Sequence, residues 1–339
     1  NLKAILLLVA FLGGLAHTGA QNLKTLSQTG ETDNGFELTE STKSQVKLSF
    51  QLNAYWMEKV NTPNGVEKII NAMESSRMLE KGAPDLPKFS TSLIIPDKGK
   101  MELKVSNSEY VEIEDVDIAP SKGNLTRDVN PADVPYTYGK VYEKDAFFPG
   151  NLGQLNKPYI ARNFRGEALW IYPIQYNPVS RTLRIYTELD IAVQSTNKKG
   201  ENELTHKTAS HKITPEFHEI YKKRFINYEA AKYDPVGELG SLLIICHDDW
   251  TAEMQDYVNW KKTIGRETEM VTVTEAGGTA SAIATYVENY YNNNDLAYLL
   301  LIGDSDQVPT NSGTGLGGDS DNAYAYVEGD DHYLEFFVG

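Results

Sequence analysis

The spacing of apolar residues changes once along this chain, and that change demands two different kinds of domain. From Leu183 to Val193 one face carries Leu183, Ile185, Thr187, Leu189, Ile191 and Val193, while Arg184, Tyr186, Glu188 and Asp190 fall on the other. A period of two sets one face in a core and the other in water, which marks a half-buried strand. Asn177-Pro178-Val179-Ser180 reads as the turn before it, and Ala168-Leu169-Trp170-Ile171-Tyr172 as its hairpin partner. Similar β-rich runs with Gly, Pro and Asn between them fill the chain from about Gly35 to Ser195, which predicts an antiparallel β-sandwich. Beyond Leu239 the order becomes strand Leu242–Cys246, helix Thr251–Thr263 closed by Gly265, strand Thr268–Val273, helix Ala280–Tyr291 and strand Ala297–Ile302. That alternation calls for a parallel sheet with right-handed crossovers. Between the two units Thr196 to Ser210 reads as a polar linker. Thr214-Pro215-Glu216 then opens a helix whose apolar stripe is Phe217, Ile220, Tyr221 and Phe225.

The first 20 residues are a separate object. Lys3 precedes the apolar run Ala4 to Leu12, and the small residues Thr18 and Ala20 follow. This is the layout of a secretory signal peptide, with cleavage expected between Ala20 and Gln21. The run is shorter than the roughly 20 apolar residues that a membrane span needs, and no later stretch qualifies. A net charge of −15 and a pI near 4.9 argue against nucleic acid as a partner, because phosphates reward Lys and Arg. Cys246 is the only cysteine, so no internal disulfide supports the exported chain. His247 beside it would project from the opposite strand face, a poor placement for a nucleophile–base pair. Cys246 therefore reads as a buried structural residue.

From Glu267 to Gly339 there is no Lys or Arg, yet there are thirteen carboxylates. Acids so crowded repel one another unless a cation or another part of the protein compensates them. Asp304 is expected just past the carboxyl end of a strand, where open α/β sheets place functional loops. Asp331 and Glu335 offer carboxylates around a tight turn at Gly329, with backbone carbonyls between them. Oxygen donors without thiols favour calcium over zinc; the competing reading is a solvated acidic loop. Two other motifs lead nowhere. The run Gly313-Thr314-Gly315-Leu316-Gly317-Gly318 lacks the strand-turn-helix setting of a phosphate loop. Asp319-Ser320-Asp321 begins like an EF-hand but has Tyr324 and Asp330 where Gly and Glu are required.

Several segments, taken in order, resemble the gingipain-type cysteine peptidases. In the second unit they are Val258-Asn259-Trp260-Lys261, Gly265-Arg266-Glu267-Thr268-Glu269, Gly303-Asp304, Ser320-Asp321 and Gly329-Asp330-Asp331-His332-Tyr333-Leu334-Glu335. In the first they are Ile118-Ala119-Pro120-Ser121-Lys122-Gly123, Phe147-Phe148-Pro149-Gly150, Tyr176-Asn177-Pro178-Val179 and Thr182 to Glu188. The resemblance implies a signal peptide at 1–20, an inhibitory β-sandwich prodomain at 21–232, and the truncated start of a caspase-like α/β catalytic domain at 233–339. It implies calcium held by the side chains of Asp304, Asp331 and Glu335 and by the carbonyls of Glu328 and Tyr333. Arg127 matches a propeptide loop aimed at the active-site cleft, set against its plain reading as an exposed loop Arg. Lys232-Tyr233 aligns with the maturation junction. The catalytic His and Cys of such enzymes match no residue here, so none is assigned to Cys246 or His332. The resemblance thus implies a secreted or cell-surface bacterial zymogen, cleaving proteins or peptides after basic residues in its full-length form, with its own prodomain as inhibitor. The alternative is a non-catalytic secreted module binding protein or glycan.

Overall fold

A computed structural model describes residues 23–106, 109–205, 212–229, 233, 235–312 and 318–339. The expected signal peptide with its cut at Ala20, Lys232 of the expected junction and the glycine run at 313–317 lie outside the described residues.

The first unit is built from antiparallel sheets. One orders the strands Gly35–Ser41, Gln45–Gln51, Glu188–Ser195 and Met101–Ser106. A second sets Phe164–Ile171 between Pro87–Ile95 and the short Gly153–Leu155 and Tyr159–Ala161. Alternation decides which side chains meet: Phe50 of the first sheet lies 4.7 Å from Phe89 of the second. Leu93, Leu169, Ile171, Leu189, Ile191 and Val193 complete the same apolar core. Facing sheets with such an interior are the expected sandwich.

One expectation needs correction. Leu183 to Val193 is not a single strand paired with Ala168 to Tyr172. It breaks at Thr187 into Thr182–Tyr186 and Glu188–Ser195, which belong to different sheets. The hairpin partner of Thr182–Tyr186 is Ile174–Asn177. The period of two survives the break, because Leu183, Ile185, Leu189, Ile191 and Val193 are all buried. Periodicity reports faces and says nothing of which neighbour a strand pairs with.

The second unit follows the alternation read from the sequence. The parallel sheet orders Thr268–Thr272, Ser241–Cys246, Leu296–Ile302 and Phe337–Val338. Helices α2 (Thr251–Thr263) and α3 (Ala280–Asn293) make the crossovers. The Thr279 hydroxyl caps α3 by accepting from the Ala282 N–H, and Ile283, Val287, Tyr290 and Tyr291 point into the core. Helix α1 (Pro215–Arg224) has Thr214 and Pro215 where expected, although the Thr214 hydroxyl makes no capping bond. Its Phe217, Tyr221 and the following Phe225 are buried. They form one cluster with Tyr159 and Phe164 of the sandwich and Ala297 of the parallel sheet, so α1 joins the two units. Among the described residues no helix is long and apolar enough to cross a membrane.

Candidate functional site

The sandwich reaches the α/β unit through the hairpin of Tyr159–Ala161 and Phe164–Ile171. Its turn holds Arg162 at φ 51°, a left-handed conformation uncommon for Arg. Arg162 is 1% exposed, and its guanidinium lies 4.5 Å from the Phe217 ring and 5.3 Å from that of Tyr291. Nη1 donates to the carbonyls of Leu296 (2.5 Å) and Glu335 (3.2 Å), while Nε and Nη2 have no partner. A buried cation bonded to carbonyls across two domains is a costly arrangement, retained only where docking fixes it. Beside it the Tyr159 ring stacks on Tyr333 at 4.0 Å, with the Arg224 guanidinium over both. Gly166 permits this stack, since a Cβ there would stand 2.6 Å from the Tyr159 ring.

Opposite the hairpin runs the loop from Glu328 to Glu335, turned at Gly329 with φ 77°. Asp331 Oδ2 accepts from the Ile160 N–H (2.8 Å) and the Asn202 amide (2.7 Å), and Oδ1 accepts from the Tyr333 N–H (2.9 Å). Lys157 pairs with Asp330 at 2.9 Å. Glu335 is fully buried; Oε2 accepts from the Val327 N–H at 2.8 Å and Oε1 has no partner. Burial pushes its carboxyl up to about 8; the N–H groups of Val327 and Glu328 oppose this, and nearby Asp331 and Glu328 add to it. A buried oxygen without a partner is what a hard cation would satisfy, so the Glu335 carboxyl by itself is compatible with calcium. Asp304 is not drawn in. It sits just past Ile302 as expected, but its bonds stay in its own turn, with Ser305 and Gln307. Among the described residues no three His, Cys, Asp or Glu side chains converge as a metal-holding group.

The other expected residues are scattered. Arg127 is exposed in a turn, and Tyr233 stacks on Tyr228 at 5.1 Å. Cys246 is fully buried in its strand, with its thiol pushed up by burial, and the His247 ring instead accepts from the Asp249 N–H. His332 meets the edge of Tyr326, at 5.7 Å between centroids. Sequence reasoning missed Arg162, Arg165 and Asn202. Arg165 is fully buried and donates to the carbonyls of Pro96, Gly99, Glu201 and Asn202, which holds Asn202 against Asp331. A basic residue between apolar strand runs was the available signal for both arginines. Asn202 carried none.

The sandwich thus seats its hairpin, together with α1, on the strands of the α/β unit. The Propeptide_C25 model matches residues 27–234 and that of Peptidase family C25 matches residues 238–339, and the chain belongs to this family. It is 37% identical to Gingipain R1 of Porphyromonas gingivalis over 343 residues, and 36% identical to Gingipain R2 of Porphyromonas gingivalis (strain ATCC 33277) over 348. Those alignments cover 99% and 100% of this chain but only 33% and 46% of the relatives, so the chain spans less than half of either. A solved complex of Porphyromonas gingivalis RgpB pro- and mature domains superposes with a TM-score of 0.53 at 39% identity, covering 57% of this chain and 98% of that one.

Proposed function

We propose that the full-length protein is a secreted or cell-surface cysteine endopeptidase made as a zymogen. Residues 21–232 form its inhibitory prodomain and residues 233–339 open its catalytic domain. The observation that carries this reading is the seat of Arg162 between Phe217 and Tyr291 with its bonds to the second unit, because it makes the two units one docked pair. Kinship with the gingipains supplies the chemistry: thiolate attack on a peptide carbonyl with an imidazole handling protons. We assign both groups to parts of the full-length relatives that this chain does not span. Cleavage follows basic residues, Arg127 enters the specificity cleft as a substrate Arg would, and maturation cuts at Lys232-Tyr233.

Calcium stabilises the catalytic unit through Glu335 and Asp331, with the carbonyls of Glu328 and Tyr333 and the Asp304 carboxylate completing the shell. The orphan oxygen of Glu335 supports this reading; recruiting Asp304 requires its turn to move. The ion would supply positive charge to a segment without Lys or Arg.

The test is expression of the complete precursor. It should be latent toward Arg and Lys peptide amides, become active on cleavage after Lys232, and gain residual activity with Arg127→Ala. Excess chelator should lower its melting temperature, and Glu335→Gln should blunt that response. A processed protein that cleaves neither substrate would favour the binding-module alternative. An unchanged melting curve in chelator would remove the cation.

A further inference from the structure

Part of the base-free acidic stretch is compensated from the sandwich, α1 and the segment before α1. Lys157 pairs with Asp330, Lys212 stands 3.9 Å from Asp295, and Arg162 and Arg224 sit on the loop itself. Asp331 is held by three hydrogen bonds. A carboxylate offers about four lone-pair sites; the Ile160 N–H and the Asn202 amide fill both on Oδ2, and the Tyr333 N–H takes one on Oδ1. Asn202 grips the loop with both ends of its amide, since its Oδ1 accepts from the Asp330 N–H at 2.8 Å. It stands at φ 47°, where Asn is among the residues best tolerated. The Arg165 guanidinium bonded to its carbonyl prevents it from turning away.

We propose that prodomain docking and divalent-cation binding at the 328–335 loop oppose one another through Asp331, so that a calcium-type ion loosens the prodomain. The inference rests on the cation reading above. Two physical facts fix its sign. Docking occupies both lone pairs of Oδ2 with Ile160 and Asn202, so bidentate coordination by Asp331, which needs that oxygen, has to displace one of them. A divalent charge beside Glu335 and Asp331 also stands near the Arg162 and Lys157 cations, which it repels. Linkage makes the effect reciprocal: the docked prodomain weakens the ion by the same factor by which the ion weakens docking, commonly about 5- to 150-fold.

The amide of Ile160 is the direct probe, because its bond to Asp331 exists only in the docked state. The chain is titrated with calcium chloride by calorimetry, and amide hydrogen exchange is followed with and without the ion. The strand Glu188–Ser195 serves as the internal control. Calcium should bind and speed exchange at Ile160 about tenfold or more, leaving the control strand unchanged. Asn202→Gly keeps the left-handed turn without the bonds, so calcium should bind it more tightly and shift Ile160 less. Asn202→Asp sets a carboxylate against Asp331 and should invert the response, with fast exchange in the apo form that the ion slows. Binding with unchanged or slower exchange in the unsubstituted chain overturns the coupling and leaves the cation site standing. No binding at all overturns both. The unsubstituted chain decides the matter even if neither variant folds.

Discussion

The Arg162 guanidinium donates across the interface to the main-chain carbonyl of Glu335 at 3.2 Å, linking the tip of a sandwich hairpin to the most buried acid of the α/β unit. The bond reaches backbone, so it does not depend on the charge state of the Glu335 side chain. Arg162→Ala strands two buried carbonyls and leaves a void between Phe217 and Tyr291. The expected loss is about 2–4 kcal/mol, read as a fall in urea midpoint. Arg162→Lys should recover little of it, because an ammonium lacks the planar fork that bonds and stacks together.

Gly166→Ala is expected to unseat the same interface from within the sandwich. Its Cβ would stand 2.6 Å from the Tyr159 ring and 2.8 Å from that of Phe225, and Tyr159 is the ring stacked on Tyr333. Overpacking of this kind costs about 1–3 kcal/mol. Limited proteolysis should show the two units parting before the sandwich unfolds; simultaneous loss of both would contradict the local reading.

Stability should also depend on pH through Glu167, which is buried with Oε2 unpartnered. Burial pushes its carboxyl from 4.5 up to about 7, with Arg165 opposing and Glu201 adding. The folded form thus holds its proton more tightly than the unfolded chain. That contribution is fully present below 4.5 and is lost as pH rises through about 7. Glu167→Gln should remove the dependence, making the variant more stable than the parent at pH 8 by roughly 2 kcal/mol relative to their difference at pH 4. Paired melting curves at the two pH values test this.

Cys246 should be inert. It is fully buried and its thiol is pushed up by burial, whereas reactivity needs an exposed thiolate. Iodoacetamide should leave the native chain unmodified and label it stoichiometrically in denaturant. Labelling of the native chain within minutes would show the strand to be open.

Fold and site differed in how far the sequence disclosed them. The β-α-β-α-β order was legible because each crossover carries its own marks, such as the Thr279 cap and the inward row Ile283, Val287 and Tyr290. Strand pairing in the sandwich was not, since a period of two assigns faces and not partners, and both Ala168–Tyr172 and Ile174–Asn177 precede Thr182–Tyr186 closely enough to form its hairpin. At the candidate site the crowding of acids was plain, and so was the need for compensation. The compensating groups were hidden because Lys157, Arg162 and Asn202 lie more than 120 residues before the acids they meet. Local pattern carries no information about contacts at that range.

Distance along the chain also sets an order of events. Arg162 and Glu335 are 173 positions apart, and a ribosome adds only about 5–20 residues each second. The last sandwich strand ends at Ser195, 140 positions before Glu335, so for about 7 seconds or more the sandwich exists without the loop it will hold, its hairpin tip solvated and its guanidinium fully hydrated. Stripping that water is deferred until the folded sandwich meets the acidic segment that emerges after it.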